Sequence, residues 1–338
     1  MKKILTIVVP TYNMEKYLDK CLTSLILPDE QMQMLEVLVI NDGSKDRSSE
    51  IAHGYEAKYP QTFKVIDKEN GNYGSCVNRG LKAAAGVYIK VLDADDNFNT
   101  EYLSSFIDFL SANRVDMVVS DVIRVDSNQN IIANIKYNLI RDRIITFSEI
   151  GNNVNFEMHA LTYRTSVLRD MDYVQTEGIS YTDTEWATLP MRYVKTIMYF
   201  NKPLYLYLVG RDGQTIDPIV MAKGYKQLIT IFRRIIPILY GQTDYEAYQY
   251  IDTKIFSSLV YLYSTVLRHH IETDTAELKE FDSWLHSNYR NLYEKTNSIK
   301  PHRLVPYYYV SNWRMHKCNK YPSPFYFFIA RYARKFFH

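Results

Sequence analysis

The chain has 338 residues, 46% of them hydrophobic, with 40 basic and 38 acidic side chains and a formal net charge of +2. That is apolar material for one large or two ordinary domains with real cores, and it excludes an intrinsically disordered chain. Cys21, Cys76 and Cys318 are odd in number and far apart, with no CxxC spacing, which excludes a zinc or dithiol motif and fits a reducing compartment.

The apolar run in "MKKILTIVVPTYN" is too short to read as a signal peptide, and no stretch approaches the ~20 apolar residues of a membrane span. A cytoplasmic location is the expectation. The charge is unevenly placed. No Asp or Glu follows Lys295, whereas Lys300, Arg303, Arg314, Lys317, Lys320, Arg331, Arg334 and Lys335 do; with those eight set aside, 32 basic residues face 38 acidic ones.

In chain order, "ILTIVVP" reads as a strand. "MEKYLDKCLTSLIL" places Leu18, Leu22, Leu25 and Ile26 on one helical face, and "LEVLVIND" is a second buried strand. "DRSSEIAHGYEAKY" is the next helix, "FKVID" the third strand, "GSCVNRGLKAAAG" a helix closed by Gly86, and "VYIKVLD" the fourth strand. Strands alternating with helices over the first 125 residues predict an α/β fold with a mainly parallel, Rossmann-like sheet flanked by helices. Open sheets of this kind bind ligands at the carboxyl ends of their strands.

Three polar motifs fall on that edge: Pro10-Thr11-Tyr12-Asn13 after strand one, Asn41-Asp42-Gly43-Ser44 after strand two, and Asp93-Ala94-Asp95-Asp96 after strand four. Each has a plain reading alone. Asp-Gly forms turns, and an acidic cluster before the helix "TEYLSSFIDFL" is favoured by the helix dipole. Three carboxylates so close repel unless solvated or neutralised, and an oxygen-rich cluster suits a hard cation such as Mg²⁺ or Mn²⁺ bound together with substrate phosphates. No GxxxxGK(S/T) or GxGxxG loop occurs, which removes the main support for ATPase and dinucleotide readings.

With these motifs in order, "TIVVPTYNMEKYLDKCLTSL", "EVLVINDGSKDRSSEIA" and "NRGLKAAAGVYIKVLDADD" resemble the family 2 glycosyltransferases of the GT-A fold, bacterial type, over residues 1 to 125. The resemblance implies an inverting, metal-dependent enzyme that takes a UDP-sugar donor to a glycan or lipid-linked acceptor in cell-surface polysaccharide assembly. It implies that Pro10, Thr11, Tyr12 and Asp42 meet the nucleotide, with Asp42 receiving the uracil N3 hydrogen. Asn78, Asp93 and Ala94 would join the donor site, Asp93 nearest the ribose, and Asp95 with Asp96 would hold Mn²⁺ or Mg²⁺. One departure is Val77, which stands where the family commonly has Arg.

Inverting transfer also needs a base for the acceptor hydroxyl. In "GISYTDTEWATL" the family often shows Glu-Asp; here Thr182 takes the Glu place, so only Asp183 carries over as the base, with Glu185 as the fallback and a helix-capping role for Asp183 as the alternative. Arg211, in "YLVGRDGQTI", resembles the loop cation over the diphosphate and is otherwise an ordinary loop cation. His159, in "NFEMHALTYRTSVL", is placed near the acceptor or, as buried His often is, in the core.

Residues 1–216 are thus expected to form the catalytic domain, divided near residue 125 into nucleotide and acceptor parts. Residues 217–338 form a helical region with apolar residues at three- and four-residue spacing. Its tail, residues 296–338, mixes the eight basic residues with aromatics; peripheral membrane contact, a docked terminal helix and a homo-oligomer contact remain open. No nucleic-acid motif is visible. Two other function classes stand beside the enzyme: a nucleotidyltransferase, which would favour a Gly-rich loop where this chain has "PTYNMEK", and a catalytically silent nucleotide-binding scaffold.

Overall fold

The computed structural model describes residues 2–151, 154–211, 218–268, 275–318 and 322–336. Lys320, Tyr321 and Phe337 of the tail, and the stretch directly after Arg211, lie outside them. The chain divides into two compact units, residues 1–212 with 238–250, and 213–237 with 251–338.

The first unit is built on nine strands: β1 (Leu5–Thr11), β2 (Leu35–Asn41), β3 (Phe63–Asp67), β4 (Tyr88–Val91), β5 (Asn97–Phe98), β6 (Met117–Val125), β7 (Ile131–Ile135), β8 (Leu161–Arg164) and β9 (Ile197–Leu208). They form one sheet in the order β3-β2-β1-β4-β8-β6-β9-β5, with β7 paired to β6. β1 to β4 pair in parallel, as the strand–helix alternation predicts. Beyond β4 the alternation stops, and β8 runs antiparallel to β4 and β6, while β9 runs parallel to β6. The parallel portion is therefore the amino-terminal half of a mixed sheet.

Register places the motifs. Thr11 pairs with Asn41, and Asn41 with Asp67, so three strands end level; Val8 pairs with Val91, which brings the acidic turn after β4 to the same edge. All seven residues of β1 are buried, as expected of a central strand covered on both faces.

Seven helices accompany the sheet: α1 (Leu18–Thr23), α2 (Asp29–Met34), α3 (Ser48–Lys58), α4 (Asn72–Ala83), α5 (Thr100–Ala112), α6 (Thr165–Asp170) and α7 (Asp183–Trp186). The helix expected from Met14 shrinks to Leu18–Thr23. Met14 N–H instead donates to Ser48 Oγ at 2.7 Å, and Ser24 Oγ turns back to the Cys21 carbonyl at 2.6 Å, a side-chain competitor that ends the helix. α5 is capped by Asn99, whose side chain accepts from Tyr102 N–H, and buries Leu103, Phe106, Ile107 and Leu110 at helical spacing. Phe106 meets Phe200 of β9 edge to face at 4.9 Å.

The remaining helices are α8 (Pro218–Tyr240), α9 (Tyr248–Arg268), α10 (Ala276–Asn288), α11 (Arg290–Thr296), α12 (Tyr309–Met315) and α13 (Pro324–Phe336). Inside the second unit the buried Arg314 binds Asp282 (Nη2 to Oδ1, 2.5 Å) and also donates to the Asn297 side chain, the Tyr293 carbonyl and Thr296 Oγ1. Tyr263 OH donates to the same carboxylate at 2.5 Å, so the buried ion pair has its hydrogen-bond capacity filled.

Gly80 of α4 faces β1, and a Cβ there would lie 2.4 and 2.6 Å from the two Val8 methyls. Gly80→Ala should push α4 off the sheet and lower the unfolding free energy by about 1–3 kcal/mol, read as a fall in urea midpoint without loss of the folded baseline.

Candidate active site

At the end of β2 the Asp42 carboxylate is buried and held from several sides. Oδ1 accepts from Gly71 N–H at 2.9 Å and from the Lys68 ammonium, which also reaches Ser75 Oγ at 2.9 Å and the Glu69 carbonyl at 2.5 Å. Asp42 N–H donates to the Thr11 carbonyl at 2.8 Å, so the β1 and β2 turns are one piece. Asn13, with φ of 54°, completes the tie by accepting from Lys45 N–H at 2.8 Å. Pro10 and Thr11 are buried beneath, and the Tyr12 ring is exposed at the rim of a cavity of about 480 Å³ shared with Lys45, Lys68 and Asn70.

After β4 the three carboxylates diverge. Asp93 Oδ1 accepts from Tyr73 OH at 2.7 Å. Asp95 Oδ2 is bound by Arg211 Nε at 2.5 Å, beside a second cavity, of about 380 Å³, that Lys16, Tyr17 and Lys20 also line. Asp96 is buried, with Oδ2 accepting from Tyr205 OH and Oδ1 from Leu208 N–H, both at 2.7 Å. Ala94 is buried between them. Burial, then the charges of Asp95 and Asp93, push the Asp96 carboxyl well above the carboxylate range; burial and Asp93 raise Asp95, against the opposing pull of Arg211.

His159 joins this cluster from the turn before β8. Its Nε2 lies 3.7 Å from Asp93 Oδ2 and its Nδ1 3.7 Å from Glu157 Oε2, with the ring stacked on Tyr207 at 4.5 Å. Burial by itself would lower its pKa; contact with Asp93 and Glu157 outweighs that and raises it to about 10. The residue sits against the acidic turn, which the sequence reading did not foresee.

Asp93, Asp96 and His159 each offer one ligand atom, all within 4.8 Å of one another, the one such group among the described residues. The donor set fits a divalent ion. Two carboxylates and a deprotonated, neutral imidazole are ordinary ligands for Mn²⁺, so an ion there would displace the His159 proton and relieve the repulsion from Asp95 and Asp93 that adds to burial at Asp96. The buried His159 Nδ1 and Glu157 Oε2 also lack hydrogen bonds among the described residues. Asp95, expected to share the ion with Asp96, stands outside this group, on Arg211.

Asp183 is exposed and opens α7, a single turn. Thr182 occupies the cap position without capping; its hydroxyl accepts from Gln175 Nε2 at 2.8 Å. Glu185 is buried, its oxygens accepting from Thr176 N–H and Oγ1 at 2.7 Å, so the fallback base is tied into the loop. Asn78, expected at the donor, also holds this loop. Its Nδ2 donates to the Gln175 carbonyl and Glu177, and its Oδ1 accepts from Gln175 N–H. Gly178 N–H reaches the Gly71 carbonyl at 2.9 Å, and a Cβ on Gly74 would lie 1.9 Å from the Thr176 carbonyl oxygen. The loop that carries Asp183 thus lies directly on α4. Tyr73 of that helix feels both sides: burial raises its pKa most, followed by Asp93, with Asp183 and Asp96 adding.

Lys68, Tyr73, Tyr205 and Lys90 escaped the sequence reading. Lys90 alone carried a signal, a charge inside an apolar strand. It is fully buried, donates to the carbonyls of His159 (2.6 Å) and Leu161 (3.2 Å), and burial lowers its pKa to about 7.

The Glycosyl transferase family 2 description matches residues 6–172. Residues 6–172 are a glycosyl transferase family 2 domain. Among its relatives, the uncharacterized glycosyltransferase EpsJ of Bacillus subtilis is 26% identical over 227 residues, 64% of this chain and 64% of EpsJ. The uncharacterized glycosyltransferase MG025 of Mycoplasma genitalium is 42% identical over 99 residues, 29% of this chain and 33% of MG025. The matched regions span less than two thirds of either relative. The crystal structure of residues 1–349 of Staphylococcus aureus TarS in complex with UDP-GlcNAc superposes with a TM-score of 0.63 at 18% identity, covering 98% of this chain and 91% of that one. The family 2 chain therefore shares the GT-A fold with TarS.

The unfolded chain keeps the Lys90 proton up to its ordinary value of 10.5, whereas the folded chain releases it near 7, so between those values the unfolded state binds more protons and stability rises with pH. Lys90→Met should remove that slope. Its stability relative to the parent should be more favourable at neutral pH than two units higher, by at most about 1.4 kcal/mol per unit, and equal slopes in urea titrations would refute it.

Proposed function

We propose that the family 2 chain is an inverting, metal-dependent glycosyltransferase that moves a sugar from a UDP-sugar to a hydroxyl of a glycan or lipid-linked acceptor in surface polysaccharide assembly. The observation that carries this reading is the convergence on one sheet edge of the buried Asp42, the Asp93–Asp96 turn with His159, and Arg211. TarS, of the same fold, binds UDP-GlcNAc, which supports a uridine donor.

In this reading Asp42 accepts the uracil N3 hydrogen. Lys68, whose three N–H donors go to Asp42, Ser75 and the Glu69 carbonyl, fixes that carboxylate in place for the base. Pro10 and Thr11 floor the pocket and the exposed Tyr12 ring flanks the base. Asp93 takes a ribose hydroxyl, with the small Ala94 letting the donor approach the turn. Asp96, with Asp93 and His159, would hold Mn²⁺ or Mg²⁺, and Asp95 would join them once freed of Arg211. When bound, such an ion supplies Lewis-acid neutralisation of the departing diphosphate. Arg211 leaves Asp95 for the diphosphate, whose geometry its planar fork matches. Asp183 accepts the proton of the acceptor hydroxyl.

The test is release of nucleoside diphosphate from a panel of nucleotide sugars, with Mn²⁺ or with chelator, and with and without lipid-extract acceptors. UDP release that needs the metal is the expected result; indifference to the metal, or preference for another base, would overturn the reading. Asp95→Asn should abolish the metal-dependent turnover and weaken UDP-sugar binding chiefly when Mn²⁺ is present. Asp42→Ala should weaken uridine nucleotides. Asp183→Asn should leave donor binding nearly intact while turnover falls about 10²-fold or more, and normal transfer by that variant would remove Asp183 as the base.

A further inference from the structure

Helix α13 carries aromatic residues all round, and packing within the second unit sorts them into two faces. On the inner face Phe327 and Ala330 are buried. The Phe327 ring lies 5.3 Å from Tyr309 of α12 and beneath the Arg268 guanidinium at 5.5 Å, and Tyr326 stacks on Tyr307 with centroids 4.1 Å apart. The helix is thus docked by one stripe. On the outer face stand Phe325, Phe328, Ile329 and Tyr332, at i, i+3, i+4 and i+7, with Phe325, Phe328 and Tyr332 each more than half exposed. Phe328 and Tyr332 touch at 4.9 Å, so the stripe is continuous. A helix needs one apolar stripe to pack; a second, facing water, marks a surface with a partner.

We propose that this outer stripe docks on a membrane surface rich in anionic lipid. Charge selects that occupant. No acidic residue follows Lys295, so the segment that carries the stripe has only basic charged side chains. Of the eight basic residues, Arg314 is consumed inside the fold by Asp282, while Arg303, Lys317 and Arg331 are exposed. Aromatic rings settle at the headgroup boundary, and each nearby Lys or Arg adds on the order of 1 kcal/mol of attraction to an anionic leaflet. A second copy of the chain is disfavoured as occupant, because a two-fold contact would bring the same uncompensated positive charge against itself. The helix lies on the surface and does not cross it: α13 has 13 residues, and no helix among the described residues is long and apolar enough to span.

The inference is independent of the catalytic reading and is tested without turnover. The full-length chain is sedimented at low salt with vesicles of phosphatidylcholine alone or mixed with phosphatidylglycerol, beside a Phe328→Ser, Tyr332→Ser variant whose changes are confined to exposed positions. The parent should sediment with the mixed vesicles only and be released by salt, and the variant should partition about tenfold or more weakly while keeping its circular dichroism. A parent that stays in the supernatant, or a variant that binds as tightly as the parent, overturns the proposal. So does a parent that ignores the vesicles but is a dimer in solution and loses that state in the variant, which would give the stripe to a second copy.

Discussion

Everything at the sheet edge answers to the charge of Asp93, Asp95 and Asp96, three carboxylates in four residues at a half-buried site. Their mutual repulsion grows as water is removed, so the fold must neutralise or satisfy each of them. It uses a different device for each: a phenol and an imidazole for Asp93, a guanidinium for Asp95, a phenol and a backbone N–H for Asp96. Beneath them Lys90 is buried and, among the described residues, donates to two carbonyls, and burial lowers its pKa.

The partners come from far along the chain. Asp96 meets Tyr205 across 109 positions and Arg211 meets Asp95 across 116, so the site cannot form until β9 has joined the sheet. This explains the mixed topology in functional terms. The parallel half, β3 to β4, presents Asp42 from β2 and the acidic turn from β4, with β1 between them; the antiparallel insertion of β8 and the return of β9 bring in His159, Tyr205 and Arg211, which make the cluster tolerable. Local sequence builds the ligands, and long-range pairing builds their counter-charges.

That division also explains what could be read in the sequence. Asp42 and the acidic turn were visible because each is a strand followed at once by polar residues, a pattern completed within ten positions. Tyr73 and Tyr205 were not, because in a chain of 30 tyrosines a phenol with a hydrogen-bonding task looks like one packed in the core. Asn78 was assigned to the donor, although its amide spends its hydrogen bonds on residues 175 to 177, a contact no local pattern could reveal. His159 was read in a strand-like context near the acceptor, whereas it lies in the turn before β8 and against Asp93, a contact that depends on chain pairing far from its own segment. The tail posed its question as docked or exposed, whereas α13 is both, on opposite faces.

The hydrogen-bonded strap from Asp42 through Gly71 to Gly178, reinforced by Asn78, has a thermodynamic consequence. A ligand seated on Asp42 and a ligand seated beside Asp183 act on the two ends of one short, tightly packed element. Any change that the first makes in the affinity of the second is matched, in sign and size, by the change that the second makes in the affinity of the first. The Asp42 pocket and the turn that bears Asp183 are linked through this strap without any contact between what occupies them.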